Sequence, residues 1–253
     1  MAEMNTPREP RRRRKRKSAL FTPLAFVLIC AALIFGMSVF FRVTTIRVTG
    51  WANYSEEEII RASGIEPGDN LIFIDRSGAA SRIRSKLPYV ESVAVQRMLP
   101  NVVNIEVRES RALAYLAVEG ELWAIDRGCK ALTKTTSAQV EGLIRVSGVT
   151  AEKPAVGETV TGKDAEASKL EYLSVILQET SVRGMDEEIG SLEMTNLANP
   201  TFDYAGRFLV RLGKNENIGY KLDRMLSVIE QLGEEDTGTL DLSIDERVHF
   251  SQG

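Results

Sequence analysis

The sequence predicts an α+β protein: a single N-terminal transmembrane helix, then a β-α-α-β-β module, then a C-terminal β-rich domain with two helices. Three observations predict it. An uncharged run from Ala19 to Phe41 follows a basic tail. A strand, two capped helices and a hairpin then succeed one another between Arg42 and Arg111. From Ala112 onward, two long amphipathic stripes stand among short strand patterns. The segments read as 1–18, 19–41, 42–111 and 112–253.

The first segment carries eight basic side chains against two acidic ones, a net of +6, with Arg11, Arg12, Arg13, Arg14, Lys15, Arg16 and Lys17 in one block. The 23 uncharged residues that follow would rise about 34 Å as a helix, against about 30 Å of bilayer hydrocarbon. A cleavable signal peptide has an apolar core of about 7–15 residues and then a small-x-small cleavage site. This run is longer and ends in Val39-Phe40-Phe41-Arg42, so it reads as a retained signal anchor. Basic residues crowd its N-terminal side, which places the N-terminus in the cytoplasm and the rest outside. A free basic run also suits nucleic acid or an import signal; beside an apolar span it reads as a topology and anionic-lipid element.

From Arg42 to Gly253 the balance reverses, with 24 basic and 33 acidic residues, a net of −9. The whole chain has one His and two Cys, too few for a Cys/His zinc site of about four ligands; an all-carboxylate site stays open. Cys30 lies inside the apolar run and leaves Cys129 without a partner, so the exported part folds on packing alone, which suits a bacterial exterior. Cys129 and His249 both read as structural: a thiol or serine nucleophile needs a base, and His249 sits between Val248 and Phe250 in a strand pattern. No phosphate-binding glycine loop is present.

The first module builds up in order. Val43 to Val48 alternates as a strand and Gly50 breaks it. Ser55 is an N-cap, Glu58 closes a capping box and Tyr54 staples onto Ile59, with Gly64 as the helix stop. Pro67 to Asn70 is a turn and Leu71 to Ile74 a brief apolar run. Asp75 or Ser77 caps a second helix whose inward face is Ala79, Ile83 and Leu87; Pro88 ends it. Val93 and Val95, then Val103, Ile105 and Val107, alternate with polar residues on either side of Leu99-Pro100-Asn101, a hairpin. The expected product is a three-stranded sheet covered on one face by two helices.

That order, placed just outside one N-terminal span, resembles the POTRA module of the FtsQ/DivIB bacterial cell-division proteins. The resemblance rests on Ile46 to Gly50, Ser55 to Ile60, Gly68 to Leu71, Leu87 to Val90, Val95 to Pro100 and Ile105 to Glu109. One departure is Ala112, where the family pattern usually has proline. Outer-membrane insertases also use such modules, but the long amphipathic strands of a barrel are absent after residue 112.

The rest is mixed. Leu122 to Asp126, then Arg127-Gly128, reads as a strand and turn, similar to the step that opens the family's second domain. Leu143 to Val146 is a strand and Val149 to Asp164 a surface connection. Leu170, Leu173, Ile176 and Leu177 form one helical stripe; Ile218, Leu222, Met225, Leu226, Ile229 and Leu232 form another, closed by Gly233. Strands are expected at Ser191 to Thr195, Phe202 to Tyr204 and Arg207 to Leu212. In the last run, Thr239 to Asp245, Leu240, Leu242 and Ile244 point one way, and Val248 and Phe250 extend the pattern past a bulge at Glu246-Arg247. Ser243 stands where the family commonly has Arg.

The resemblance implies a non-catalytic bitopic scaffold of the division machinery. It would be a single-pass type II membrane protein at the septum that recruits FtsL and FtsB/DivIC type proteins and so regulates septal peptidoglycan synthesis. No cofactor, small-molecule substrate or nucleic acid is implied. The candidate contact is strand addition along Leu240, Asp241, Leu242, Ser243 and Ile244, if that strand lies at a sheet edge. The competing class is a signal-anchored cell-wall hydrolase or transferase, which needs a deep pocket with two convergent acids of shifted pKa.

Overall fold

A computed structural model describes residues 21–244 and 247–253. It opens with helix α1 (Phe21–Phe40), 20 residues without a charged side chain. Large apolar residues such as Leu24, Phe26, Ile34 and Phe35 are exposed along it. Counting only residues described in full, no helix is long and apolar enough to cross a membrane; in α1 the fully described stretch is 23–37.

The first module has strand β1 (Thr45–Thr49), helices α2 (Glu56–Ser63) and α3 (Arg76–Lys86), and strands β2 (Val90–Met98) and β3 (Val102–Glu109). The sheet order is β1-β3-β2, with β1 parallel and β2 antiparallel to the central strand. Local signals place the helices. Glu58 N–H donates to Ser55 Oγ at 3.3 Å and Ser55 N–H donates to Glu58 Oε2 at 2.8 Å, both halves of the capping box. Gly64 ends α2 in the left-handed region at φ 67°. Asp75 is the cap of α3, accepting from Gly78 N–H at 2.9 Å. Ile59, Ala79, Ile83, Val103, Ile105 and Val107 fill the core between helices and sheet. Leu87 is only half-buried, the first residue past α3. Tyr54 engages Tyr89, accepting from its N–H at 3.1 Å.

β1 begins two residues later than its alternation predicts. Val43 is held instead by a loop: its N–H donates to Asp69 O, and Gly68 N–H donates to its carbonyl, each at 2.8 Å.

The second module is one nine-stranded sheet. Its strands are β4 (Ala114–Val118), β5 (Glu121–Ile125), β6 (Ala131–Thr135), β7 (Ile144–Ser147), β8 (Ile189–Glu193), β9 (Thr201–Tyr204), β10 (Phe208–Arg211), β11 (Gly238–Asp241) and β12 (His249–Gln252). Helix α4 (Ala165–Val182) lies between β7 and β8, and α5 (Ile218–Ile229) between β10 and β11. The order is β12-β11-β10-β9-β8-β7-β4-β5-β6. The predicted stripes of both helices face this sheet: Leu170, Leu173, Ile176, Leu177, Leu222 and Met225 are buried in one core with Leu116, Ile144, Phe202 and Phe208. Strands β4 and β6 were not anticipated.

The modules are stitched where they meet. Ser110 Oγ donates to Asp126 Oδ2 at 2.8 Å, Lys130 Nζ to Val90 O at 2.9 Å, and Arg127 pairs with Glu91 at 2.5 Å.

Candidate functional site

A sheet of nine strands has two ends, and unpaired backbone at either end is a template for another chain. At the β6 end the template is partly used. Ala131 N–H donates to Glu158 O at 2.9 Å, Gly157 N–H to Ala131 O at 2.7 Å and Val160 N–H to Cys129 O at 2.9 Å, so the connection before α4 lies against the start of β6. Lys134, paired with Glu121 at 2.8 Å, puts a charge on the remainder.

The other end corrects the predicted edge. Leu240 and Asp241 belong to β11, which pairs parallel with β10 on one side and antiparallel with β12 on the other. It is an inner strand. Gly238 N–H donates to Arg207 O at 3.1 Å and Leu242 N–H to Arg211 O at 2.8 Å, so the even-numbered residues bond to β10. Leu242 is buried just past the strand, Ser243 is exposed in the turn and Ile244 is 50% exposed, pointing away from the core its alternation predicted. Asp241 starts that turn: its Oδ1 accepts from Ser243 N–H at 2.9 Å and from Ser243 Oγ at 2.5 Å. Burial works to raise the Asp241 pKa. The Ser243 hydrogen bonds and the nearby Arg211 and His249 outweigh it and leave the carboxyl below its ordinary value. Arg211 stands 3.9 Å from Asp241, so an ion pair exists here although position 243 lacks Arg.

The chain then reverses into a separate strand, and the bulge expected at Glu246-Arg247 falls partly outside the described residues. Asp245 and Glu246 lie outside the described residues, as does the basic block Arg11, Arg12, Arg13, Arg14, Lys15, Arg16 and Lys17. β12 runs antiparallel to β11, pairing Asp241 with His249, Leu240 with Phe250 and Gly238 with Gln252. Gly253 N–H donates to Thr237 O at 3.1 Å. Antiparallel pairs alternate between bonded and non-bonded, so this register turns the backbone of His249 and Ser251 toward β11 and that of Phe250 and Gln252 outward. Among the described residues no strand lies beyond β12. The Phe250 ring is seated against Phe208, centroids 6.2 Å apart and edge to face. The outer row is therefore held at fixed height over the core. β12 is short and carries neither Lys nor Pro, two common guards of an edge.

The acid pairs that hydrolysis would need look different. Glu91, Glu109 and Asp126 line a cleft of about 370 Å³ between the modules. Glu91 is paired with Arg127, Glu109 accepts from Asn53 N–H at 2.6 Å, and Asp126 Oδ1 accepts from Gly128 and Lys130 N–H at 2.8 and 2.9 Å. The shifted carboxyls among the described residues, Glu58, Glu121, Glu166, Glu193, Asp223 and Asp241, all move down. A general acid needs the opposite shift. Burial pushes the Cys129 thiol up to about 12, with Asp126 adding to it, so it stays protonated and unreactive.

Residues 41–110 match the family model described as POTRA domain, FtsQ-type. A cell division protein DivIB of Clostridium botulinum is 27% identical over 94% of this chain and 91% of its own length. Over most of its length the chain is similar to proteins named FtsQ or DivIB cell division protein. The likeness extends across bacterial groups: a cell division protein FtsQ of Anaeromyxobacter is 28% identical over 90% of this chain and 79% of the relative, and DivIB of Bacillus subtilis is 25% identical over 58% and 56%. The POTRA module thus sits between α1 and the nine-stranded sheet, and the first relative aligns with both modules.

Sequence reasoning found the C-terminal strand pattern but missed β12. The signal was present in Val248 and Phe250, which were read as a continuation of the previous strand.

Proposed function

We propose that this chain is a non-catalytic, single-span scaffold of the bacterial division machinery, and that the outer edge of β12 receives a strand from a partner. The observation that carries the second clause is the contrast between the sheet's ends: β6 is partly paired by residues 157–160, while Phe250 and Gln252 turn backbone donors and acceptors outward. An extended partner segment would add a tenth strand there, main-chain hydrogen bonds giving affinity and alternate side chains giving specificity. The partners expected from the family are small bitopic proteins of FtsL and FtsB/DivIC type, acting on septal peptidoglycan synthesis.

The membrane clause rests on the uncharged run Ala19 to Phe41 and the +6 tail before it. In this reading α1 is the core of a span with its N-terminus cytoplasmic, a type II topology. Anchoring the partners in the same membrane confines them to two dimensions and raises their effective concentration, so a contact along one strand of four residues need not be tight by itself. The test is a fluorescent fusion at the N-terminus imaged in dividing cells of the native host. A septal band is expected; uniform peripheral label throughout the cell cycle would refute the division role.

A further inference from the structure

We infer that the pole of the POTRA module nearest α1 is a lipid-binding surface, in which Phe73, Met98 and Leu99 enter the membrane interface and fix the module's tilt. This rests on the reading of α1 as a membrane span. Four large apolar side chains of the module are exposed: Trp51, Phe73, Met98 and Leu99. Three of them gather at one pole. Phe73 is 81% exposed, Leu99 66% and Met98 46%.

Hydrogen bonds tie these residues to the exit of α1. Leu71 N–H donates to Phe41 O at 2.7 Å, and Asn70 Nδ2 reaches Met37 O, inside the helix's last turn, at 3.5 Å. Phe73 N–H closes a turn onto Asn70 O at 3.0 Å, so its ring starts within one tight turn of the helix end. From the other side, Thr44 N–H donates to Asn101 O at 2.9 Å and Thr45 pairs with Val102, which sets the β2–β3 hairpin tip, with Met98 and Leu99, beside the same exit. Arg97 Nη2 donates to Ile74 O at 2.6 Å and joins the hairpin to the Phe73 loop. Phe41 itself packs on the module's core, so no free linker separates helix from module.

Phe73 is tied through Asn70 to the last turn of α1, and the hairpin tip to Thr44, four residues past its end, so these side chains lie on the side of the module that faces the end of the span. There an exposed aromatic gains by leaving water. Trp51 follows the far end of β1, after the strand has run away from α1, and takes no part. Both signs of charge occupy the pole, since Arg42 bridges Asn70, next to Asp69, and Arg97 bonds Ile74 O, next to Asp75, so the contact is apolar and insensitive to salt.

The test uses the full chain in nanodiscs of phosphatidylcholine with brominated acyl chains. Phe73→Trp and Val182→Trp are each compared with the parent, whose own tryptophan emission is subtracted; Val182 is 75% exposed on α4. The added emission of F73W should be quenched at low and high salt alike, and that of V182W should not. Unquenched F73W emission from protein that co-elutes with nanodiscs would overturn the lipid surface while leaving the span intact. Failure to enter nanodiscs at all would instead overturn the span, and this inference with it.

Discussion

The two ends of the nine-stranded sheet solve the same problem in different ways. At β6 the chain lays residues 157–160 along the first half of the edge and sets Lys134 on the rest. At β12 neither is found among the described residues, yet the strand is held through β11 and the Phe250 ring against Phe208. A well-supported edge that carries neither Lys nor a covering segment is costly to keep in a crowded cell, because it invites pairing with any extended chain. The difference teaches that guarding is within this sequence's means and is withheld at one end.

The largest effect should separate β11 from the residues after it. Leu240→Ala empties a fully buried site and is expected to cost about 2–5 kcal/mol in denaturant unfolding. Ile244→Ala, at an exposed position, should stay within about 0.5 kcal/mol. Equal costs would contradict the turn that takes Ile244 out of the core while Leu240 stays in it.

Next in size is the edge itself. Gln252→Pro removes an outward N–H from an edge strand, where proline is tolerated. Capture of the proposed small bitopic partners in solubilised membranes should fall at least about tenfold, equivalent to about 1.4 kcal/mol, with little change in melting temperature. Unchanged capture would sink the strand-addition account.

A smaller effect is expected from Asp241→Asn. The folded carboxyl titrates below its ordinary value, so its ionised form adds stability at neutral pH. That contribution is complete above the unfolded value near 4 and is lost as pH falls through the lower folded one. The parent should lead the variant by less than about 1 kcal/mol at pH 7, a lead that closes in acid. A gap that widens in acid would contradict the sign. Smallest of all, Lys134→Pro on β6, opposite Trp123 in a non-bonded pair that turns its N–H outward, should leave partner capture unaltered, which sharpens the contrast between the two ends.

Legibility in the sequence divided along the same line. The POTRA module was readable because its signals are local: the Ser55/Glu58 capping box, the Gly64 stop and the hairpin alternation of Val103, Ile105 and Val107 are each complete within a few residues. The stripes of α4 and α5 were readable for the same reason. The edge was not. Whether Leu240 to Ile244 is an inner or outer strand depends on what lies beside it. That is set by α5, which carries the chain over to make β11 parallel to β10, and by a reversal that brings back His249 to Gln252. β4 and β6 escaped for a related reason: Ala114-Tyr115-Leu116-Ala117-Val118 is apolar on both faces and shows no alternation, and Ala131 to Thr135 is short and mixed. The Asp241–Ser243 turn had a visible signal in its residue types, but the apolar alternation through Ile244 masked it.

Residue-resolved amide exchange on residues 42–253, with and without a segment of the proposed partner, tests the central claim most directly. In the free protein the amides of His249 and Ser251 should be protected by β11, while those of Phe250 and Gln252 exchange freely. Partner binding should then slow Phe250 and Gln252 selectively, leaving β6 as it was. New protection along β6, or none at Phe250 and Gln252 under saturating partner, would contradict the account.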